Sequence, residues 1–257
     1  MKFTTLLRWG TAITLACSLS GFVWATDKPS DKDKKDKSKS GSQMIDSGVF
    51  GVVVKGQRVV TETFSVQQEN GNSTIKAQLK ETAGATPTSQ KSSLEINGAG
   101  ELIHYEWSQS GGGSLSVMPN NEFLLEKISA TGSGKAAEQA FLMPSSSMIL
   151  DNNFFVQREV LAWRYLAADC KRDKGELKCQ TGPVDFGALV PQDRTSMHVR
   201  MELVGKESVT IGSTQRQLLR LNLTGDGFEW ALWVDDQDSF KLIRIAIPAD
   251  STEVVRD

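Results

Sequence analysis

The residues best suited to chemistry are two cysteines in the second half of the chain. Cys170 and Cys179 flank the polar run Lys171–Lys178, which has Gly175 near its centre. Such a segment can form a hairpin that brings the two sulfur atoms together, and an oxidising compartment would then join them. A zinc site would need two more soft ligands, and neither histidine lies at a suitable spacing. The sequence therefore predicts a structural disulfide and no metal site.

Catalytic patterns are weak throughout the chain. The two histidines, His104 and His198, both lie within strand-like patterns. No G-x-S-x-G nucleophile elbow is present, and the run 131–135 resembles only part of a P-loop. The acidic turn at 235–238 lacks further oxygen ligands that would hold calcium. We therefore predict no catalytic residue and no cofactor, and the sequence leaves an enzymatic role uncertain while favouring a non-enzymatic one.

The N-terminus has the pattern of an export signal. Lys2 and Arg8 precede an apolar stretch that ends in small residues at Ala25, which suits cleavage by a signal peptidase. Residues 1–25 are thus predicted to direct the chain to the periplasm or the cell exterior of a bacterium. Leu15-Ala16-Cys17 also resembles the end of a lipobox, although Thr14 stands where that motif has Leu. Lipidation of Cys17 in an outer-membrane lipoprotein is the alternative.

Charge is distributed unevenly along the chain, whose 29 Lys and Arg against 31 Asp and Glu give a net charge of −2. Residues 26–46 are rich in Lys, Asp and Ser without a large run of apolar side chains, which predicts a flexible tether. The rest of the chain is acidic. Composition excludes collagen, coiled coils, wholly disordered chains and multi-span membrane proteins, and no basic excess indicates a nucleic-acid partner.

From residue 47 onward the dominant hydrophobic period is two. Apolar residues alternate with polar ones at residues 75–80, 197–203, 219–224 and 243–247. This alternation is typical of antiparallel strands with one packed and one solvated face. Turn-forming pairs such as Asn70-Gly71 separate the segments. Residues 47–257 are therefore predicted to form a single, mainly β domain, built as a curved antiparallel sheet or half-barrel.

One segment breaks the strand pattern and predicts a helix at about residues 152–168, with Asp151 or Asn152 as its N-cap. The segment is apolar on nearly all sides, which indicates a helix buried against the sheet. Either the helix simply fills the core, or helix and sheet share a cavity for an apolar ligand. On the second interpretation, five aromatic residues of the helix and of two strands line the cavity: Phe154, Phe155, Trp163, Trp107 and Trp230.

Several diffuse motifs resemble an exported bacterial β-rich family of unknown function. They are ILDNNFF, VLAWRY and GALVPQ between residues 149 and 192, and ALWVD, KLIRIAIP and TEVVRD at the end of the chain. The order of elements is similar: a β meander, a central helix, a Val-Pro strand and a second meander. This sequence departs from the pattern by inserting the hairpin CKRDKGELKC. The resemblance implies the fold and the compartment but transfers no catalytic residue.

The same order of elements resembles the half-barrel of periplasmic lipoprotein carriers, which hold acyl chains between a curved sheet and helices. This resemblance implies a fold and does not determine function. The leading hypothesis is an exported envelope protein that binds a hydrophobic or lipid-like ligand without catalysis, or that has a structural role. An envelope hydrolase is one alternative, and a module that binds a partner protein through a sheet edge is another. No transmembrane span is expected once the signal is removed.

Overall fold

The structure is a computed structural model that describes residues 41–82, 88–129, 136–174 and 176–257. The predicted signal peptide (1–25), Cys17 and most of the predicted tether lie outside the described residues. The partial P-loop at 131–135 lies outside them too. Within the described part of the chain, no helix is long and apolar enough to cross a membrane.

The first half of the described chain is a meander of strands. Tight turns connect most of them, and several turn residues have the positive φ that such turns require, among them Asn70 and Gly71. The strands are β1 (Gln43–Val54), β2 (Gln57–Glu69), β3 (Asn72–Glu81), β4 (Ser89–Ile96), β5 (Leu102–Gln109), β6 (Ser114–Asn120), β7 (Phe123–Ser129) and β8 (Ala137–Phe141).

The second half contains the helix and a further meander. Two short 3-10 turns, Pro191–Asp193 and Pro248–Asp250, connect strands within it. The elements are β9 (Met148–Ile149), α1 (Val156–Asp169), β10 (Cys170–Asp173), β11 (Glu176–Cys179), β12 (Val184–Val190), β13 (Thr195–Ile211), β14 (Thr214–Gly225), β15 (Phe228–Asp235), β16 (Lys241–Ile247) and β17 (Thr252–Arg256).

Fifteen of the strands form one curved, open sheet. The first meander runs from β8 at one edge to β1, which pairs with β17, and the second meander continues from β17 to β12. The short strand β9 pairs with β12 in parallel and forms the other edge. The other pairings in this sheet are antiparallel. The predicted fold class, a curved, mainly β fold with one helix, is confirmed.

Folded structure begins earlier than the sequence indicated. The predicted boundary between tether and domain, at residues 46 and 47, lies inside β1, which starts at Gln43. The side chain of Asp46 is buried because Arg256 of β17 donates hydrogen bonds to both of its carboxylate oxygens, at 2.6 and 2.7 Å. Arg256, which holds Asp46 at the start of β1, lies 210 residues away in the sequence. The local composition around Asp46 therefore could not predict this contact.

The helix α1 lies in the core of the described domain. Its residues Val156, Leu161 and Ala162 are fully buried, and even the polar residues of its first turn are buried. The helix begins at Val156, whereas we expected a start near residue 152. The expected caps were wrong: the N-cap position is Phe155, and no side chain within the helix segment caps it.

A disulfide closes the hairpin that follows the helix. Strands β10 and β11 form a separate two-stranded sheet, in which Cys170 pairs directly with Cys179. The structure joins these two residues by a disulfide bond. Since the neighbouring residues of the hairpin are largely exposed, this bond is the main covalent restraint on a segment with little packing of its own.

We expect the double variant Cys170→Ser, Cys179→Ser to lower the free energy of unfolding by about 2–3 kcal/mol, because opening the short loop increases the entropy of the unfolded chain. Equilibrium urea unfolding of the oxidised protein and of the variant measures this difference. Wild-type protein in reducing buffer is the control and should match the variant. Equal midpoints for the oxidised protein and the variant would contradict the expectation.

Candidate functional site

The buried start of α1 is held by a carboxylate from the sheet. Glu62 lies on the inner face of β2 and is fully buried. Its Oε2 accepts a hydrogen bond from the Phe155 amide at 2.7 Å, and its Oε1 accepts one from the Val156 amide at 3.2 Å. The first amides of a helix have no partner within the helix, and the helix dipole favours negative charge there. Glu62 therefore caps the helix from 93 residues away.

Arg158 is the buried cation beside this helix start. Its Nη1 donates hydrogen bonds to the carbonyl oxygens of Asp151 and Phe154, the latter at 2.9 Å. The guanidinium lies 5.7 Å from the ring centroid of Phe155 and 5.1 Å from that of Trp230, within range of cation–π attraction. Burial lowers the pKa of Arg158 to about 10, an effect that nearby carboxylates oppose. Arg158 thus joins the turn before α1 to strand β15.

A short hydrogen-bonded chain connects the same turn to β5. The Tyr105 hydroxyl donates to Asp151 Oδ2 at 2.5 Å, and the Asp151 amide donates to Gln157 Oε1 at 2.5 Å. Burial raises the pKa of Asp151, while the bond from Tyr105 and the charge of Arg158 lower it. Asp151, the expected N-cap, therefore accepts a hydrogen bond from Tyr105, while Glu62 caps the helix.

A buried carboxylate of α1, that of Glu159, connects the helix with the second meander. Glu159 is fully buried, and its Oε1 accepts hydrogen bonds from the Leu242 amide at 2.8 Å and from Arg256 Nη1 at 3.1 Å. Burial, followed by the nearby charge of Asp46, raises the pKa of Glu159 to about 8. Through Arg256 this contact connects α1 with the junction between the two meanders.

Glu126, on the inner face of β7, is a carboxylate with no such partners. It is fully buried, and neither of its oxygen atoms accepts a hydrogen bond. Burial raises its pKa to about 7; the charge of Arg194 lowers the pKa and that of Asp151 raises it. Leaving a buried carboxylate without donors is costly, and both oxygen atoms of Glu126 lack one.

The interior polar groups favour a structural role over catalysis. Among the described residues, no group of three or more His, Cys, Asp and Glu side chains could hold a metal ion. His104 lies on the outer face of β5, where its Nε2 is 3.8 Å from Glu106 Oε1, and His198 is exposed on β13. The histidines are therefore on the surface, apart from the buried carboxylates that could serve as acids or bases.

The acidic turn after β15 is neutralised by basic side chains. Asp235 pairs with Arg216, and Asp236 pairs with Lys206 at 2.8 Å. Asp238 pairs with Lys241 at 3.0 Å. These ion pairs occupy the carboxylates that a calcium ion would use.

A prominent pocket formed by described residues is a groove on the outer face of the first meander. It has a volume of about 880 Å³ and crosses the sheet from β2 to β8. Two rows of directly paired, outward-facing side chains follow it. The first row is Ser65, Lys76, Ser93, Glu106, Ser116, Lys127 and Glu138; the second is Thr63, Gln78, Lys91, Ser108, Ser114 and Ser129.

Short hydroxyl side chains dominate these rows, which we call the outer groove. They leave room above the sheet, and the methylene groups of the lysines supply apolar wall. At the β7–β8 end, Lys127 pairs with Glu138 at 3.3 Å. At the other end, Lys76 and Lys91 are diagonal neighbours with no ion pair to another described residue. The outer groove therefore combines apolar surface with a positive end.

The five predicted ligand-lining residues do not form one wall. Phe154 and Phe155 are packed in the core, and Trp163 donates its indole N–H to the Phe240 carbonyl at 2.9 Å. Trp230 packs beside Phe228 with ring centroids 5.4 Å apart. Trp107 packs against the core beneath the outer groove, and its indole N–H donates to Gln90 Oε1 at 3.0 Å. No α1 residue lines any of the three most prominent pockets formed by described residues.

Sequence reasoning missed the buried carboxylates, although a signal for two of them was present. Glu62 shares its strand face with Phe64 and Val66, and Glu126 shares its face with Leu124. A glutamate at a core position of an alternating strand indicates a buried charge with a specific task. The partner of each glutamate could not be inferred from that pattern.

Comparison with known proteins adds a likeness of fold. No protein-family model matches the chain, and no curated protein sequence matches it. A similar solved structure is that of a β-barrel-like protein, of the domain of unknown function DUF1849, from Brucella abortus, with a TM-score of 0.50 and 6% identity. The match covers 82% of this chain and 94% of that one. It concerns the fold alone; export and the lipoprotein-carrier resemblance stay predictions.

We expect Glu62→Ala to lower the free energy of unfolding by about 2–4 kcal/mol, because it leaves two buried amides without an acceptor and weakens the neutralisation of Arg158. Glu62→Gln keeps one acceptor and should cost less. Urea unfolding measures both variants. The surface variant Glu106→Ala is the matched control, and a loss for Glu62→Ala no larger than for this control would exclude the capping role.

Stability should fall as pH rises from about 5 to about 8. The pKa values of Glu62 and Glu126 are raised to about 7 and that of Glu159 to about 8, all by burial. The folded protein therefore binds more protons than the unfolded chain between the ordinary glutamate pKa and these values. Urea unfolding at several pH values measures this dependence. Glu126→Gln should flatten it, whereas a profile unchanged by that substitution would contradict the assignment.

Proposed function

We propose that this protein is an exported, non-enzymatic binding protein that holds an elongated amphiphilic, lipid-like ligand in the outer groove. The observation that carries the proposal is the groove itself, with a volume of about 880 Å³ across the first meander. A volume of this size lies within the range of pockets that hold small molecules. The buried polar groups that contact α1 serve its packing, and they line none of the three most prominent pockets formed by described residues.

The lining of the outer groove supports a ligand with an apolar chain and an anionic group. Serine side chains and lysine methylene groups present carbon atoms along the groove, interspersed with hydroxyl groups. The ammonium groups of Lys76 and Lys91 have no acidic partner among the described residues, so an anionic head group would be favoured beside them. The sequence suggested a ligand cavity between α1 and the sheet. Because α1 is packed in the core, we place the ligand in the outer groove instead.

The compartment is part of the proposal. Residues 1–25 would be removed on export, and the basic segment that follows would connect the folded domain to its surroundings as a tether. The disulfide between Cys170 and Cys179 supports an oxidising compartment such as the periplasm. Lipidation of Cys17 would instead anchor the tether in the outer membrane.

The proposal predicts that a large side chain in the outer groove removes the ligand. Ser116 lies near the middle of the first row, so Ser116→Trp should fill the space that an apolar chain would occupy. Native mass spectrometry of protein purified from its own envelope, followed by lipid extraction, measures the bound ligand. We expect the wild type to carry a lipid-like ligand and Ser116→Trp to lose at least about nine-tenths of it.

The matched control is Ser208→Trp, which adds the same side chain to an exposed position of β13 outside the groove. This variant should keep the ligand. Wild-type protein free of any bound lipid would refute the proposal. Equal ligand content in Ser116→Trp and Ser208→Trp would also refute it, since the ligand would then lie elsewhere.

A further inference from the structure

Among the described strands, β8 has a neighbour on one side only and offers its other edge for pairing. It hydrogen-bonds to β7 on one side and ends the large sheet on the other. Natural proteins protect such edges with prolines, inward charges or covering elements. Strand β8, with the sequence AEQAF, has no proline, and its one charged residue, Glu138, lies on the outer face in an ion pair with Lys127. Its backbone therefore lacks the usual side-chain protection against a further strand.

The inner face of β8 is also uncovered. The inward positions of β7, Leu124 and Glu126, are fully buried, whereas the inward positions Ala137 and Gln139 of β8 are exposed. The core therefore reaches β8 only at Phe141, and the rest of β8 extends beyond it. A strand that is exposed on both faces and along its edge gains stability from an added neighbour.

A buried charge lies next to this edge. Glu126 is the direct cross-strand neighbour of Gln139, and neither of its carboxylate oxygens has a hydrogen-bond partner. Nearby, the interior contains the carboxylates of Glu62 and Asp151 with Arg158 as their buried cation. The charge of Arg194 lowers the pKa of Glu126 and that of Asp151 raises it, but neither carboxylate oxygen receives a hydrogen bond. A Lys or Arg brought to Glu126 would donate the hydrogen bonds that these oxygen atoms lack.

We propose that β8 binds an extended, basic polypeptide segment of a partner protein, which adds a strand along Ala137–Phe141 and places a Lys or Arg opposite Gln139. Adjacent strands lie about 4.8 Å apart, so such a residue starts about 10 Å from Glu126. The long side chain of Lys or Arg and that of Glu126 can together span this distance. Main-chain hydrogen bonds between the strands supply affinity, and the ion pair with Glu126 makes the site selective for a segment with Lys or Arg at this position.

The end of β8 indicates a second feature of the partner. Leu142 follows Phe141, and Phe123 precedes Leu124, which pairs with Phe141; Leu142 and Phe123 are 75% and 42% exposed. Since Phe141 and Leu124 face the core, these neighbours face outward. An apolar side chain on the outer face of the added strand can cover them. The expected segment therefore alternates a basic inward residue with an apolar outward one.

This interaction is tested with a display library of random nine-residue peptides, selected against the full-length chain. We expect enriched peptides to share a Lys or Arg at one position and an apolar residue at a fixed odd spacing from it. Selected peptides are then remade with alternate backbone amides N-methylated, in two registers. Strand pairing requires that one register loses at least about tenfold in affinity while the other binds nearly as before.

Glu126→Gln tests the charge without changing the size of the side chain. It should lower the affinity of the basic peptides about tenfold and abolish their advantage over peptides with Met in place of the Lys or Arg. Glu122→Gln, at an exposed position of the turn before β7, is the matched control and should bind as the wild type does. Urea unfolding confirms that both variants are folded.

Three results would overturn the proposal: no enriched peptide, equal effects of both N-methylated registers, or unchanged selectivity in Glu126→Gln. The register experiment uses the wild-type chain, so it does not depend on the folding of any variant. Peptide binding at the edge and ligand binding in the outer groove are measured separately, and failure of one leaves the other intact.

Discussion

The structure depends on one constraint: a helix whose N-terminus is buried must find hydrogen-bond acceptors for its first amides. Glu62 of β2 supplies them for Phe155 and Val156. A helix end in the core without such a partner would leave several donors away from water, at a cost comparable to much of the stability of a domain. Glu62 is therefore one of the contacts that fix α1 relative to the first meander, together with the bond from Tyr105 to Asp151.

Other polar contacts of α1 connect the helix with the second meander in the same way. Glu159 accepts from the Leu242 amide and from Arg256, which also binds Asp46 at the start of β1. Two glutamates thus connect the helix with both halves of the open sheet. The helix fills the interior through these contacts, and the outer groove lies on the other face of the sheet, where short hydroxyl side chains repeat across the strands.

The sequence predicts the elements far better than their contacts. Period-two alternation at 197–203 and 219–224 identifies strands β13 and β14, because each such face packs locally on a single core. The helix start could not be predicted, since the residue that caps it, Glu62, lies 93 residues upstream. Asp151 is a residue type that often caps helices, but here it accepts a hydrogen bond from Tyr105 instead. The outer groove was equally hidden: its serines look like any solvated strand face until the register aligns them across the sheet.

Three buried glutamates allow a comparison within one molecule. Glu62 meets two amides, and Glu159 meets an amide and a guanidinium, whereas Glu126 meets no donor. Interiors normally satisfy buried carboxylates. Both oxygen atoms of Glu62 and one of Glu159 accept hydrogen bonds where these residues hold the helix. Glu126 lies beside β8, a strand that is exposed on its inner face and has a described neighbour on one side only. An unsatisfied charge and an unpaired strand at the same place are both explained if the sheet is completed there by a basic segment of another chain.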